Sequence, residues 1–155
     1  MDSLPFPRPK LTDPWVQHAS PLVLRLVCTS PEMTDFWSRM VAHGFCGAVP
    51  ANTVPREALL DEPARELARA ELDALVAHDV YGLTHSELAD VLETFPIVKK
   101  RDVKAHGEYR TKRKILEIYD AMAEATRTGL PYASDFDLPP AQPRLKQESN
   151  AEGPP

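Results

Sequence analysis

Apolar and polar residues follow a helical period over most of the chain. Residues 30–32 (Ser-Pro-Glu) have the order of an N-cap, a first-turn proline and a first-turn acid, and apolar side chains recur after them at helical spacing. Gly44 then supplies a stop. This pattern predicts a helix from Pro31 to about His43, followed by a loop over residues 44–55 that shows neither a helical nor a strand period.

A second amphipathic pattern predicts a helix from near Pro63 to His78, with Gly82 after its end. Thr84 and Glu87 have the spacing of a capping box, in which each residue's side chain satisfies the other's backbone amide. They predict the start of a short third helix, which Phe95-Pro96 closes.

The last predicted helix runs from about Tyr109 to Arg127 and ends at a glycine. Its inner face carries Ile115, Leu116 and Tyr119. Because the turn after the short helix must bring it back against the long one, we expect these three side chains to be buried together with Phe95.

Residues 21–30 form a short apolar run with β-branched members and turn residues on both sides, which indicates a buried strand. The period of so short a run fits a buried helix equally well. With three or four helices around it, the sequence predicts a mainly α fold, a small helical domain with at most one or two short strands.

Proline marks the ends of the chain, where most of its 16 prolines stand against 6 glycines overall. We therefore expect a Pro-rich N-terminal arm over residues 1–13, a single helical domain over residues 14–130 and a disordered Pro-rich tail over residues 131–155. A length of 155 residues suits one hydrophobic core.

The net charge of −5 argues against a protein coated in basic surface, but the charge is unevenly distributed. Residues 99–114 contain eight basic residues and two acidic ones, a local charge of +6, so the rest of the chain carries −11. A basic stretch of this kind can meet phosphate even on an acidic protein.

Cys28 and Cys46 show no metal-site or disulfide spacing, and we interpret both as reduced thiols. The opening residues lack the apolar segment of a secretory signal, and no run of 18 apolar residues occurs. The sequence therefore predicts a cytoplasmic location and no membrane partner.

Motifs of common catalytic and cofactor sites are missing from the sequence, among them GxSxG, the P-loop, GxGxxG, HExxH and paired cysteines. The five histidines stand far apart, and each is interpreted as a helix-end or surface residue: His18, His43, His78, His85 and His106. We accordingly predict no catalytic residue, no metal site and no cofactor.

Asp102, Glu108 and Lys112 form an acid-and-lysine set of the type that holds a divalent metal over a phosphodiester. Glu108 and Lys112 are also spaced i, i+4 at the start of the predicted long helix, where an ion pair would stabilise the helix. We favour this second interpretation.

The basic stretch is the strongest candidate for a binding surface, since arginine and lysine suit phosphate contacts. His106 and Tyr109 offer stacking faces within it. A solvated helix face has the same composition, so that alternative stays open. The candidate DNA-contacting residues are Lys99, Lys100, Arg101, Lys104, Arg110, Lys112, Arg113 and Lys114.

Five short motifs carry a family resemblance: AELD at 70–73, YGL at 81–83, TFPIV at 94–98, GEYRTK at 107–112 and ILEIYD at 115–120. Through them, residues 69–125 resemble the C-terminal segment of large adenine-specific (N6) DNA methyltransferases, of the type IIG-like restriction–modification and BREX-like phage-defence classes. Residues 14–44 resemble the segment that precedes it in those enzymes.

The resemblance implies a place after the methyltransferase core, and a role in structural support and DNA engagement. The Asn-Pro-Pro-Tyr or Asp-Pro-Pro-Tyr motif that grips the flipped adenine is missing, and so is the glycine-containing loop for S-adenosylmethionine. Because the transfer needs both a held base and a held methyl donor, this chain is predicted not to methylate DNA unaided.

Together these observations predict a non-catalytic, DNA-associated interaction module of a restriction–modification or phage-defence system. Its expected partners are DNA, bound weakly and non-specifically by the module alone, and a methyltransferase or restriction subunit that carries the catalytic core. Two alternatives remain: a remnant of such an enzyme without independent function, and a small enzyme with an unrecognised site.

Overall fold

A computed structural model describes residues 8–136, and this part of the chain contains six α-helices and no strand. A 3₁₀ turn precedes the second helix, and a π-helical turn extends the third over Val76–Val80. The predicted mainly α fold is confirmed. The helices are α1 (Pro14–Val27), α2 (Thr34–Val41), α3 (Glu62–Leu75), α4 (His85–Glu93), α5 (Pro96–His106) and α6 (Arg110–Thr128).

The strand predicted for residues 21–30 is wrong, because most of that run is the second half of α1. Asp13 precedes the helix as its N-cap residue and Pro14 occupies the first turn, a start signal that the sequence carries openly. The run is too short for its period to distinguish a strand from a helix, and apolar residues of α1 are buried on two sides. Ala19 packs towards α3, whereas Leu24 packs towards α2.

The smaller of two apolar clusters lies between α1, α2 and the loop after α2. Trp37 is buried at its centre, and its indole Nε1 donates a hydrogen bond to the carbonyl of Gly47 at 2.8 Å. Cys28 is fully buried there, and Cys46 lies at the edge of the cluster. Both cysteines are free thiols, as predicted.

The larger cluster forms where α3 packs along α6, with α1 and α4 closing its sides. On the α3 side and its π-helical extension, the buried residues at the cluster are mostly alanines, so the helices approach closely. From α6, Ile115, Tyr119 and Met122 fill the opposite side. The Tyr119 hydroxyl donates to the Leu83 carbonyl at 2.5 Å, which ties α6 to the turn before α4.

Two of the predicted helix-end signals are confirmed. Thr84 and Glu87 form the capping box at the start of α4, with both reciprocal hydrogen bonds present. Gly129 ends α6 in the left-handed conformation with φ of 70°.

The four-residue core predicted around α6 is only partly right. Ile115 and Tyr119 are buried, and Leu116 is half-buried against the same cluster. Phe95 was predicted to join them, but 49% of its surface is exposed. The prediction is wrong because a further helix begins directly after Phe95 and carries the chain away from the core.

That helix, α5, is absent from the sequence-based prediction. Its start and end signals are present in the sequence: Pro96 occupies its first turn, and Gly107 ends it with φ of 76°. Its apolar period is missing because the one buried side chain of α5 belongs to Asp102. A helix without an apolar inner face gives no amphipathic pattern to detect.

Contacts of the helical body continue past the predicted boundary at residue 130. Tyr132 packs against the larger cluster and stacks on the His18 ring, with centroids 5.6 Å apart. The carbonyl of Phe136 accepts a hydrogen bond from Arg25. Most of the predicted arm and tail, residues 1–7 and 137–155, lies outside the described residues. Within residues 8–136 no helix combines the length and apolarity that a membrane span requires.

Candidate nucleic-acid interface

Two of the predicted DNA-contacting lysines form ion pairs at the junction of α4, α5 and α6. Glu93, the last residue of α4, accepts hydrogen bonds from Lys112 and Lys99, both at 2.7 Å. The hydrogen bonds from Lys112 and Lys99 lower the pKa of Glu93 to about 2. Lys112 also donates to the Ala89 carbonyl at 3.0 Å. These two cations therefore hold three helices together.

The buried carboxylate of α5 caps the next helix. Asp102 Oδ2 accepts a hydrogen bond from the backbone amide of Thr111 at 2.6 Å, in the first turn of α6. Burial on its own would raise the pKa of Asp102, but hydrogen bonds from the Thr111 side chain and amide outweigh it and lower the pKa. Asp102 thus supplies the cap that Tyr109, the residue before α6, does not.

Arg113 is paired on both sides. It donates to Glu108 at 2.9 Å and to Glu117 at 2.8 Å, and these bonds raise its pKa and lower that of Glu108. The predicted ion pair between Glu108 and Lys112 is wrong. Glu108 turns to Arg113 instead, and Lys112 reaches back to α4.

The two candidate stacking residues differ in their surroundings. Tyr109 is half-buried, and its hydroxyl donates to the carbonyl of Leu92 at 3.0 Å. Burial, followed by the charges of Asp102 and Glu93, raises the pKa of Tyr109. His106 is exposed at the end of α5 and lies 3.4 Å from the guanidinium of Arg110.

The cations on the solvent side of α5, unlike Lys99, Lys112 and Arg113, lack close ion pairs within residues 8–136. Lys100 and Lys104 lie one turn apart, are exposed and form no ion pair within residues 8–136. Arg101, 72% exposed at its side chain, approaches Asp102 only at 3.9 Å. Ile97 lies on the same side and is 82% exposed. Lys114, on α6, is half-buried and has no ion pair in the described part of the chain.

An apolar groove of about 420 Å³ lies beside α5, between α3, α4 and α6. Its rim exposes large apolar side chains, with Tyr81 60%, Phe95 49% and Val91 44% accessible. Asp73 is the one carboxylate among the groove residues, and desolvation raises its pKa. Exposed apolar surface of this kind is typical of a contact with another molecule.

Three of the histidines have carboxylate partners that the sequence did not indicate. His18 contacts Glu71 at 2.8 Å, and His85 contacts Asp120 at 2.7 Å, in each case from a different helix. His78 contacts its neighbour Asp79 at 2.5 Å. The first two contacts join different helices and therefore leave no local signal in the sequence.

The residues on the solvent side of α5 can hold anions by charge and hydrogen bonding. Across residues 8–136, no three metal-binding side chains come together, at α5 or elsewhere. In comparisons with protein-family models, with curated proteins and with solved structures, the chain finds no match.

Proposed function

We propose that this chain is a non-catalytic module of a DNA modification system, in which α5 contacts DNA phosphates and a separate methyltransferase or restriction subunit carries the catalytic core. The observation that carries the proposal is the solvent side of α5. Lys100, Arg101 and Lys104 extend from it, and none is held by a close ion pair within residues 8–136.

Packing in the core does not explain why α5 is rich in cations, because the helix has no buried apolar face. A surface helix normally buries an apolar stripe, whereas α5 buries one carboxylate and is held by that carboxylate's bond to α6. The acidic side chains nearby neutralise Lys99, Lys112 and Arg113. Positive charge is therefore concentrated on the side of α5 that faces away from those acids, where phosphate oxygens would bind.

The groove beside α5 supports the second half of the proposal. Its occupant is a segment of the catalytic subunit with apolar side chains and a central basic group. Apolar side chains suit Val91 and Phe95 at the rim, and the basic group suits Asp73. The resemblance of residues 69–125 to methyltransferase tails supports this choice of partner, because there the same segment follows the catalytic core.

The DNA half is tested with the triple variant Lys100→Ala, Arg101→Ala, Lys104→Ala. Fluorescence anisotropy on a short duplex, over a salt series, gives the slope of log K against log salt. If each cation neutralises one phosphate, the slope loses roughly 2 to 3 in magnitude. The matched control removes three exposed cations elsewhere: Lys10→Ala, Arg39→Ala, Arg56→Ala. Equal slopes in the two triple variants would mean that net charge alone explains binding.

The partner half is tested by co-purification with an adenine methyltransferase that lacks this tail. Val91→Asp is expected to abolish the complex, because it introduces a charge at the groove. Val27→Asp is the control, since Val27 has the same 44% exposure but lies on α1. Retention of the complex by Val91→Asp would exclude the groove as the contact.

A further inference from the structure

Arg25 is a buried cation for which the described residues supply no carboxylate partner. It lies on α1 with 8% of its surface exposed, and its guanidinium Nη1 donates to the carbonyl of Phe136 at 2.6 Å. Within residues 8–136 no acidic side chain forms an ion pair with it. Arg65, in contrast, satisfies Nη1 with two carbonyls and lies 3.7 Å from the carboxylate of Glu62.

The charge of Arg25 is largely withdrawn from solvent. A guanidinium stays protonated at any physiological pH and offers five N–H donors. Burying a charge is strongly unfavourable unless an opposite charge and hydrogen bonds compensate it. The Phe136 carbonyl satisfies one of those donors. Within the described residues no buried side-chain nitrogen lacks a partner, so any other unpaired donor of Arg25 is accessible from outside. An anion that reached these donors would supply an opposite charge.

Such an anion has room to bind. Arg25 lines a cleft of about 560 Å³ between α1, the loop at residues 44–47 and the segment at residues 132–136. This volume is in the range of small-molecule sites. No part of α5 lines the cleft, so it is separate from the proposed DNA-contacting surface.

The walls of the cleft indicate what else the ligand carries. Phe45, Tyr132 and Phe136 provide aromatic surface, and Leu22 adds apolar surface from α1. His18, two turns before Arg25 on α1, adds a polar group, and its Nε2 is fixed at 2.8 Å from the carboxylate of Glu71, whose side chain is 2% exposed. The ring of His18 is therefore held in one orientation by a buried group.

We propose that this cleft binds a small organic anion, a phosphate monoester or carboxylate on a flat apolar body. The oxyanion binds the Arg25 guanidinium, whose planar donors suit paired oxygens. The flat body lies against the aromatic walls, where stacking is favourable. The site goes beyond the proposed DNA contact, because it recognises a single small molecule on another side of the protein.

Three probes separate the parts of the ligand, each titrated into the full chain by NMR of the backbone amides. Phenyl phosphate carries both the oxyanion and the flat body, inorganic phosphate only the oxyanion, and benzyl alcohol only the body. Phenyl phosphate is expected to saturate with shifts at residues 44–47 and 132–136, and to bind more tightly than either single-feature probe. Benzoate tests whether a carboxylate replaces the phosphate.

Arg25→Lys is expected to weaken phenyl phosphate binding about tenfold or more, the loss of one charge-assisted hydrogen bond. Arg25→Gln should abolish it. If these variants fail to fold, the shift map of the wild-type chain still decides the case. The α5 triple variant is the control and should bind phenyl phosphate normally.

Two results would overturn the inference. One is the absence of saturable shifts at the cleft in the wild-type chain. The other is binding that disappears in the α5 triple variant, since the anion would then be at the surface that contacts DNA.

Discussion

The carboxylate of Asp102 on α5 accepts a hydrogen bond from the backbone amide of Thr111 on α6, at a distance of 2.6 Å. The bond joins the two helices on either side of Gly107 and satisfies an amide that α6 leaves without an internal partner. The acidic Asp102 within the basic stretch is therefore explained by its role as the cap of α6.

Asp102→Ala should destabilise the protein by about 1–2 kcal/mol, the usual cost of losing a helix cap. Because the pKa of Asp102 is lowered in the folded protein, its contribution is present above the unfolded pKa of about 3.9 and is lost as the pH falls below that value. Urea unfolding at pH 7 and at pH 3 measures both effects. Asp102→Asn keeps an acceptor oxygen and is the control. An equal free-energy loss in the alanine variant at both pH values would contradict the capping role.

Glu93 should titrate far below an ordinary glutamate. Its pKa is lowered to about 2 by Lys112 and Lys99, so the stabilisation from this group is complete above the unfolded pKa of about 4.3 and disappears as the pH falls towards 2. NMR titration of the Glu93 carboxyl carbon tests the value directly. Glu93→Gln should flatten the acid side of the stability profile, whereas Glu66→Gln, which removes the same charge from α3, should not. A Glu93 titration midpoint near about 4.3, the value of an unpaired glutamate, would exclude its ion pairs with Lys112 and Lys99 in solution.

Ile115 and Leu116 should respond differently to truncation although they are neighbours. Ile115 is 1% exposed, and Ile115→Ala should cost ~2–5 kcal/mol as a large-to-small change in a packed core. Leu116 is half-buried at the edge of the same cluster, and Leu116→Ala should cost clearly less. Chemical denaturation of the two variants compares the free energies of unfolding. A larger loss for Leu116→Ala would reverse the assignment of the inner face.

His18 and Glu71 should be strongly coupled. Glu71 is almost fully buried, so replacing His18 with alanine removes the hydrogen-bond partner of a buried carboxyl group, which costs about 1–3 kcal/mol. His18→Phe combined with Glu71→Leu should recover part of that loss, because no unpaired buried polar group remains. A double-mutant cycle by urea unfolding gives the coupling energy. Additive effects would show that the contact contributes nothing.

Local signals in the sequence predicted several helix ends correctly. They failed where the environment of a residue depends on distant parts of the chain. The capping box at Thr84 and the stop at Gly129 depend on neighbours in the chain, and both are present. The second half of α1 was predicted as a strand because an apolar run as short as residues 21–30 fits both periods. The exposure of Phe95 depends on α5, whose inner side is a carboxylate and so lacks the pattern that predicts helices.

The sequence predicts which cations the candidate interface contains, but it does not predict which of them are paired with acids. The sequence supplies eight cations in residues 99–114, but the partner of Lys112 is Glu93, nineteen residues earlier. Which cations are neutralised and which extend into solvent is decided by the packing of α4 against α6. The Arg25 cleft could not be predicted from the sequence, because its lining residues come from the first helix and from residues 132–136, far apart in the chain.

The alanines along α3 lower the side-chain entropy lost on folding, in addition to letting the helices pack closely. Ala68, Ala70 and Ala74 are almost completely buried, yet an alanine side chain has no rotamers to lose when it becomes buried. At the contact of α3 with α6, the entropy cost of ordering side chains therefore falls mainly on α6, where Ile115, Tyr119 and Met122 are buried. Replacing Ala74 with leucine would add apolar area, but it would also add a flexible side chain to the α3 side of the contact, where most buried residues have none.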